Sequence, residues 1–315
     1  MARQNVTRRQ ALSLPLLFLP AACNRQKGKT IGMVPMGRAH VFWQSIHAGA
    51  VKASRETGVG VEWNGPATES DISTQIQIMD AMINKRVDAI GVAPIDRRAL
   101  VAVIERAAKS SIPVIVFDSP VDTDAYLTQI ATDNHKGGEI AADRVAQITG
   151  GQGEVAIVAA TAGSASTMAR ERGFAERIRN YPGIKVVDKR YGDSEFAKSM
   201  RVAENLLTAW PGLRAMFASN EPATVGSAQA VTARNAKVRI VGFDAGPTLE
   251  ADLRARRVDA LVVQHPFQMG YDTVQSFHRH TRGEGLPKTQ SIQPKLVTLE
   301  NIDSPEVQSQ INPDL

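Results

Sequence analysis

Cysteine is nearly missing from this chain: Cys23 is the only one, so no intramolecular disulfide can form. Aromatic residues make up only 5%, which makes any aromatic facing a crevice more informative than it would be in a richer chain. Catalytic signatures are absent as well. GKT at Gly28 to Thr30 lacks the upstream glycine and preceding strand of a phosphate loop, and there is no GxSxG, HExxH or CxxC. The six histidines show no ligand spacing beyond His278 and His280, on a helix expected to be solvated, so neither a metal nor a cofactor is expected. A strong excess of one charge is also lacking. Of the 37 basic residues, Arg3, Arg8 and Arg9 lie in a segment expected to be removed, which leaves the rest in near balance with the 32 acids. Basic and acidic residues intermingle in ARERGFAERIRN and LRARRVD, the pattern of solvated helix faces, so no nucleic-acid partner is expected.

What is present suits a two-lobed globular protein, since 315 residues at 43% hydrophobic and 22% charged is long for one core. The amino terminus places a basic region with Thr7, Arg8 and Arg9 before the apolar run ALSLPLLFLPAA and then Cys23. That run is too short to span a membrane, and the order of charge, apolar stretch and small residues is that of an export signal. Cys23 directly after Ala21 and Ala22 resembles a lipoprotein cleavage site, with Pro20 where a leucine is usual. The paired arginines also resemble a twin-arginine signal, with Ala11 where a large apolar residue is typical, so both the general and the twin-arginine export routes stay open. The expectation is an exported protein of the periplasm or cell envelope, held at the membrane surface by a lipid on Cys23, with residues 1–29 as signal and tether.

From residue 30 the chain alternates apolar runs with amphipathic stretches: TIGMVPM then VFWQSIHAGAVKASRETG, VGVEWNG then ISTQIQIMDAMINK, VDAIGVAP then RRALVAVIERAAKS, PVIVFDS then YLTQIATD. The spacing predicts βαβ units and parallel sheets. The rhythm restarts at residue 134 and continues through GEVAIVAA, IKVVDKRYG, LRAMFASN, VRIVGFDAG and VDALVVQHP to a helix from Phe267 to about Arg282, then a last strand-like stretch, PKLVTLENI. PVIVFDS echoes VRIVGFDAG, and VDAIGVAP echoes VDALVVQHP. Two similar α/β lobes with a crevice between them follow. Four of the apolar runs end on side chains able to bond hydroxyl groups: Asp118, Asn220, Asp244 and Gln264. The carboxyl ends of parallel strands border the ligand crevice, so these residues are read as facing a polar ligand.

In order and spacing, TIGMV followed by Phe42 and Trp43, IHAGAVKAS, IGVAP, VFDS, IATDN with a GG pair, ARERGF, FASN, VGFDA and VVQ resemble the sugar-binding proteins of bacterial ABC importers, of the ribose and galactose type, over nearly all of residues 30 to 302. The resemblance to these type I periplasmic binding proteins implies an α/β fold of two Rossmann-like lobes with parallel sheets, joined by a three-segment hinge. The lobes are expected at residues 30–132 plus 266–292 and at 133–265 plus 293–315. It further implies a monomer that captures a monosaccharide or polyol and hands it to a membrane permease.

A sugar site needs apolar surfaces for C–H faces and fixed donors and acceptors for hydroxyls. Asp118 and Asp244 fit the acceptor role and match family ligand residues; the plainer alternative is that each caps the next helix. Arg170 matches the family's sugar-binding arginine, whereas Arg172 reads as surface charge paired with Glu176. Asn220 can donate and accept, or serve as a turn residue. Gln264 lies at a lobe crossing and could bond ligand or hinge backbone. Phe42 and Trp43 resemble the family's stacking aromatics, although an aromatic at a helix start is often core. Two residues depart from ribose-binding relatives: Ser119 stands in place of an arginine, and His40 in place of an asparagine. The resemblance therefore does not carry ribose itself, and His40 reads either as a ligand contact or as a surface-loop histidine.

Three rival readings share parts of this pattern. A repressor built on the same core needs a DNA-binding domain where the export signal stands. A chemoreceptor or quorum-signal ligand carrier would share fold, site and location. A glycosidase could use Asp118 and Asp244, but it needs one acid isolated in apolar surroundings, and no flanking residue provides that.

Overall fold

The computed structural model describes residues 1–2 and 28–312; the segment read as an export signal, its paired arginines and Cys23 lie outside the described residues. The runs AIGV (β3, Ala89–Val92) and VIVF (β4, Val114–Phe117) are buried along their whole length. Strands buried on both faces read as unbroken apolar runs because helices cover the sheet from both sides. They sit in a six-stranded parallel sheet with β1 (Thr30–Val34), β2 (Gly60–Trp63), β5 (Thr128–Thr132) and β11 (Thr289–Ile292), in the order β11-β5-β4-β3-β1-β2. Its helices are α1 (Val41–Thr57), α2 (Ile72–Lys85) and α3 (Val101–Lys109).

A second sheet repeats the plan. It contains β6 (Gln152–Ala159), β7 (Gly183–Tyr191), β8 (Leu213–Ala218), β9 (Arg239–Phe243), β10 (Ala260–Val263) and β12 (Lys295–Val297), in the order β12-β10-β9-β8-β6-β7, with only β12 antiparallel. Its helices are α5 (Ala165–Arg177), α6 (Phe196–Ala209), α7 (Glu221–Ala233) and α8 (Pro247–Arg254). Both sheets thus contain the doubly wound order 2-1-3-4-5, whose topological switch point opens a crevice at the carboxyl ends of the strands.

The chain passes between the sheets three times: after β5, after β10, and between β11 and β12. The first two passages carry helices. α4 (Asn134–Thr149) follows β5 yet packs on α5 and shares a core with Phe174, Phe217 and Phe243 of the second lobe. α9 (Pro266–Thr281) follows β10 yet packs on α1, and its Met269, Val274 and Phe277 join Ile31, Ile115 and Phe117 of the first. Glycines make both pairings possible. A Cβ on Gly270 would lie 1.8 Å from Ile46 O, and one on Gly138 would lie 2.0 Å from Arg170 O.

Three segments differ from the sequence reading. YLTQIATD, placed in a helical slot of the alternation, is strand β5, because Thr128, Ile130, Ala131 and Thr132 bury themselves between β4 and β11. β11 has the polar sequence TQSI and no apolar alternation; it forms by parallel pairing with β5. Only Lys295–Val297 of PKLVTLENI is strand, after which a turn leads to α10 (Pro305–Ile311), whose Ser304 accepts from Val307 N–H at 3.3 Å.

Candidate functional site

Asp118 and Asp244 occupy equivalent positions in the two lobes. Each follows a strand-ending phenylalanine, and each donates its backbone N–H to the neighbouring strand, Asp118 to Ile130 O at 2.8 Å and Asp244 to Val262 O at 2.9 Å. Each also sits at positive φ, 62° and 74° respectively. Left-handed backbone costs an L-residue about 1–2 kcal/mol, and such strain persists where it aims a functional side chain. Both side chains line one cleft between the lobes.

Their carboxylates differ in what they already hold. Asp118 is 3% exposed, and its Oδ1 accepts no bond among the described residues. Burial pushes it up to about 7; the charge of Arg170 opposes this, and those of Glu69 and Asp244 add to it. Its charged neighbours, Arg170 and Asp244 of the facing lobe and Glu69 of its own, are all distant from it in sequence, so flanking residues do not report this setting. Asp244 accepts from Glu221 N–H at 2.8 Å and from Gln264 Nε2 at 2.6 Å. It caps a helix after all, but that helix is α7; α8, the next in sequence, starts at Gly246 with no side-chain cap. Burial also raises Asp244, and Arg170, Gln264 and the Glu221 N–H pull it back.

Arg170, also 3% exposed, projects from α5 into the cleft. Its Nε donates to Asn134 Oδ1 at 2.7 Å and its Nη1 to Ser219 O at 2.9 Å, and its guanidinium lies 4.0 Å above the Phe243 ring. Two of its three nitrogens are thus committed to holding the fork in place. Arg172 is exposed as expected, but Glu176 pairs with His135 at 2.7 Å instead. Asn220 caps α7 through Oδ1, which accepts from Ala223 N–H at 3.1 Å, and donates from Nδ2 to Ser194 Oγ at 2.9 Å. Gln264 joins the lobes by side chain: Thr132 Oγ1 at the end of β5 donates to its Oε1 at 2.8 Å.

The first turn of α1 brings Phe42 and Trp43 to the cleft, edge to face with centroids 4.9 Å apart. Trp43 Nε1 donates to Glu69 Oε1 at 2.7 Å, and His40 Nδ1 meets the same oxygen at 2.6 Å. His40 is therefore no surface-loop histidine; its side chain is 12% exposed and its ring packs edge-on against Phe196 of the other lobe at 5.4 Å. Burial alone would lower its pKa, but the hydrogen bond and charge of Glu69, with Glu221 and Asp244, raise it above the usual imidazole value. Burial would raise Glu69, and the bonds from His40, Trp43 and Ser194 hold it below the usual carboxylate range.

The lobes touch directly around the cleft, where Ser166 N–H donates to Ser119 Oγ at 3.2 Å and Arg97 N–H to Gly163 O at 3.2 Å. Ser119, in the place of a forked donor, acts as a lobe-to-lobe contact. The cavity enclosed between the lobes is small, about 30 Å³, well below the several hundred Å³ of a typical small-molecule site, so the lobes stand close together here. All eight sequence-predicted site residues line it. Two acids the sequence reading missed line it as well: Glu69 and Glu221. Both had a signal, since Glu69 follows β2 at the same edge of the first sheet, and Glu221 directly follows Asn220. A broad groove at the far end of the second lobe, lined by Arg144, Arg214 and Arg256, lies away from these groups.

Comparison with known proteins agrees with this geometry. The profile of the periplasmic binding protein domain family matches residues 31–285. A ribose import binding protein of Bacillus subtilis is 28% identical over 288 residues, covering 91% of this chain and 93% of its own. The D-allose-binding periplasmic protein of Escherichia coli is 31% identical over 242 residues, 73% and 77% of the two chains. Among solved structures, a carbohydrate transporter solute-binding protein of Agrobacterium radiobacter in complex with D-arabinose superposes with a TM-score of 0.88 at 33% identity, over 91% of this chain and 99% of that one. These relatives are sugar-binding transport proteins and not enzymes, which sets the raised carboxyl of Asp118 apart from glycosidase chemistry. The two lobes and these similarities together mean that the chain belongs to the periplasmic binding protein family, among the sugar-binding solute-binding proteins of ABC transporters.

Proposed function

We propose that this protein captures a monosaccharide or polyol outside the cytoplasm, closes its lobes on it and delivers it to an ABC permease. The observation that carries this reading is the pair of strained strand-end aspartates facing one cleft from two lobes. A ligand bonded by both favours the closed arrangement because only there are both sets of bonds made. Phe42 and Trp43 supply the apolar surface, Arg170 the donor fork, and Asn220, Gln264 and His40 hold the polar frame. The units that move are residues 30–132 with 266–292 against 133–265 with 293–315. Closure buries Asp118 and Glu221, and a buried carboxylate without donors is costly; ligand hydroxyls offset that cost by donating to them.

A thermal-shift screen of pentoses, hexoses and polyols should find a stabilising ligand, and solution scattering should then show a smaller radius of gyration at saturation. An unchanged profile with a bound sugar would count against closure. We further propose that Cys23 carries the lipid that keeps the exported protein at the membrane surface. Cys23→Ala should move it from the membrane fraction to the soluble periplasm; a wild-type protein already soluble, with its new amino terminus past Cys23, rules the anchor out.

A further inference from the structure

The cleft carries more acidic groups than basic ones. Four carboxylates line it (Glu69, Asp118, Glu221 and Asp244), against one guanidinium, Arg170, and one imidazole, His40. His40 and Glu69 neutralise each other at 2.6 Å. Arg170 lies between the two aspartates in its influence, acting on both. Three acids thus share one guanidinium, and Glu221 has no ion-pair partner among the described residues.

The hydrogen-bond inventory has the same bias. Gln264 uses one amide N–H on Asp244, Asn220 one on Ser194, Trp43 and His40 both bond Glu69, and Arg170 uses two of its three nitrogens inside its lobe. The side-chain atoms of the cleft that are buried and unpartnered are acceptors: Asp118 Oδ1 and Glu221 Oε2, on residues 3% and 7% exposed. A hydroxyl brings lone pairs along with each proton it donates, whereas an ammonium brings three donors and no acceptor. Among the described residues no three His, Cys, Asp or Glu side chains converge as metal ligands. Phe42 and Trp43 line the same cleft, and aromatic rings attract organic cations.

We infer that the natural ligand is an aminated sugar or amino polyol whose protonated nitrogen sits against Glu221, with Asp244 behind it and the Asp118 carboxylate taking a hydroxyl at the other end. The inference rests on the sugar-binding reading above and narrows its ligand class. Burial, and then the charge of Asp244, push Glu221 up to about 7, with His40 opposing and Glu69 adding. A cation placed there would draw it back toward the ordinary carboxylate range, so binding at pH 7 should release protons.

Calorimetry at pH 7 tests this with 2-amino-2-deoxy and 6-amino-6-deoxy aldohexoses and 1-amino-1-deoxy polyols, each beside its neutral parent and, for the first set, its N-acetyl derivative. At least one amine should bind more than about tenfold tighter than both its parent and its uncharged derivative, with an enthalpy that depends on the ionisation heat of the buffer. Glu221→Gln should collapse that ratio toward one, and Arg172→Ala, on the exposed face of α5, should leave it unchanged. Neutral sugars that bind as tightly as their amines overturn the inference and leave the sugar reading standing. An amine preference that survives Glu221→Gln overturns the placement at Glu221. If no compound in either column binds, both readings fall.

Discussion

Asp118→Ala should weaken ligand binding by more than about thirtyfold and leave the melting temperature of the unliganded protein close to that of the wild type. Losing one partner of a buried charged hydrogen bond costs roughly 2–5 kcal/mol, and about 1.4 kcal/mol is a factor of ten. The fold should tolerate the change because Asp118 Oδ1 holds nothing in the protein, and alanine at the same positive φ keeps the strain already present. Arg170→Ala should lose as much affinity but should also lower stability. Its removal leaves Asn134 Oδ1 and Ser219 O without their donor and uncovers the Phe243 ring. Asp244→Ala falls between the two, since it also strips the cap from Glu221 N–H, worth about 1 kcal/mol. Arg172→Ala, exposed one turn-face away, should change affinity by less than about threefold. Calorimetry and thermal melts on the four variants decide the matter: an Asp118→Ala protein that binds as the wild type does, or an Arg172→Ala protein that does not bind, would reverse the assignment of the crevice.

The strand-end rule explains why so much of this site was legible in the sequence. A run such as VIVFDS or IVGFD shows both the buried strand and the polar residue at its carboxyl end, and a parallel sheet sends every such end to the same side. What the runs do not carry is the partner brought by the other lobe. The raised pKa of Asp118, the packing of His40 against Phe196 and the bond from Thr132 to Gln264 all arise across the cleft, between residues distant in sequence. Glu69 lies in GPATES, past the end of β2 with no apolar run of its own, and Glu221 opens α7 just beyond the polar residue Asn220 that follows β8. The polar edge strand β11 was invisible for a related reason: its four residues have no pattern of their own and take their conformation from β5.

The two helix pairs that cover the sheets set the second large effect. In α4 against α5 the backbones approach at Gly138 and Gly173, and a Cβ on Gly138 would lie 2.0 Å from Arg170 O and 2.7 Å from Phe174 N. Both obstacles are main chain, so no side chain can rotate away and the helices must separate. Gly138→Ala should therefore cost about 3 kcal/mol, the upper end of overpacking penalties, even though alanine favours a helix over glycine by about 1 kcal/mol. The damage should reach the site, because α5 carries Arg170 and α4 carries the Asn134 that orients it; affinity should fall by more than about tenfold. Gly270→Ala is the counterpart in the other lobe. Its Cβ would lie 1.8 Å from Ile46 O, pushing α1 and with it Phe42 and Trp43. Gly285→Ala, with nothing within 4 Å of the new carbon, should match the wild type in both melting and binding. If Gly138→Ala melts and binds like Gly285→Ala, the two helices part without strain, and the position of Arg170 does not depend on their close approach.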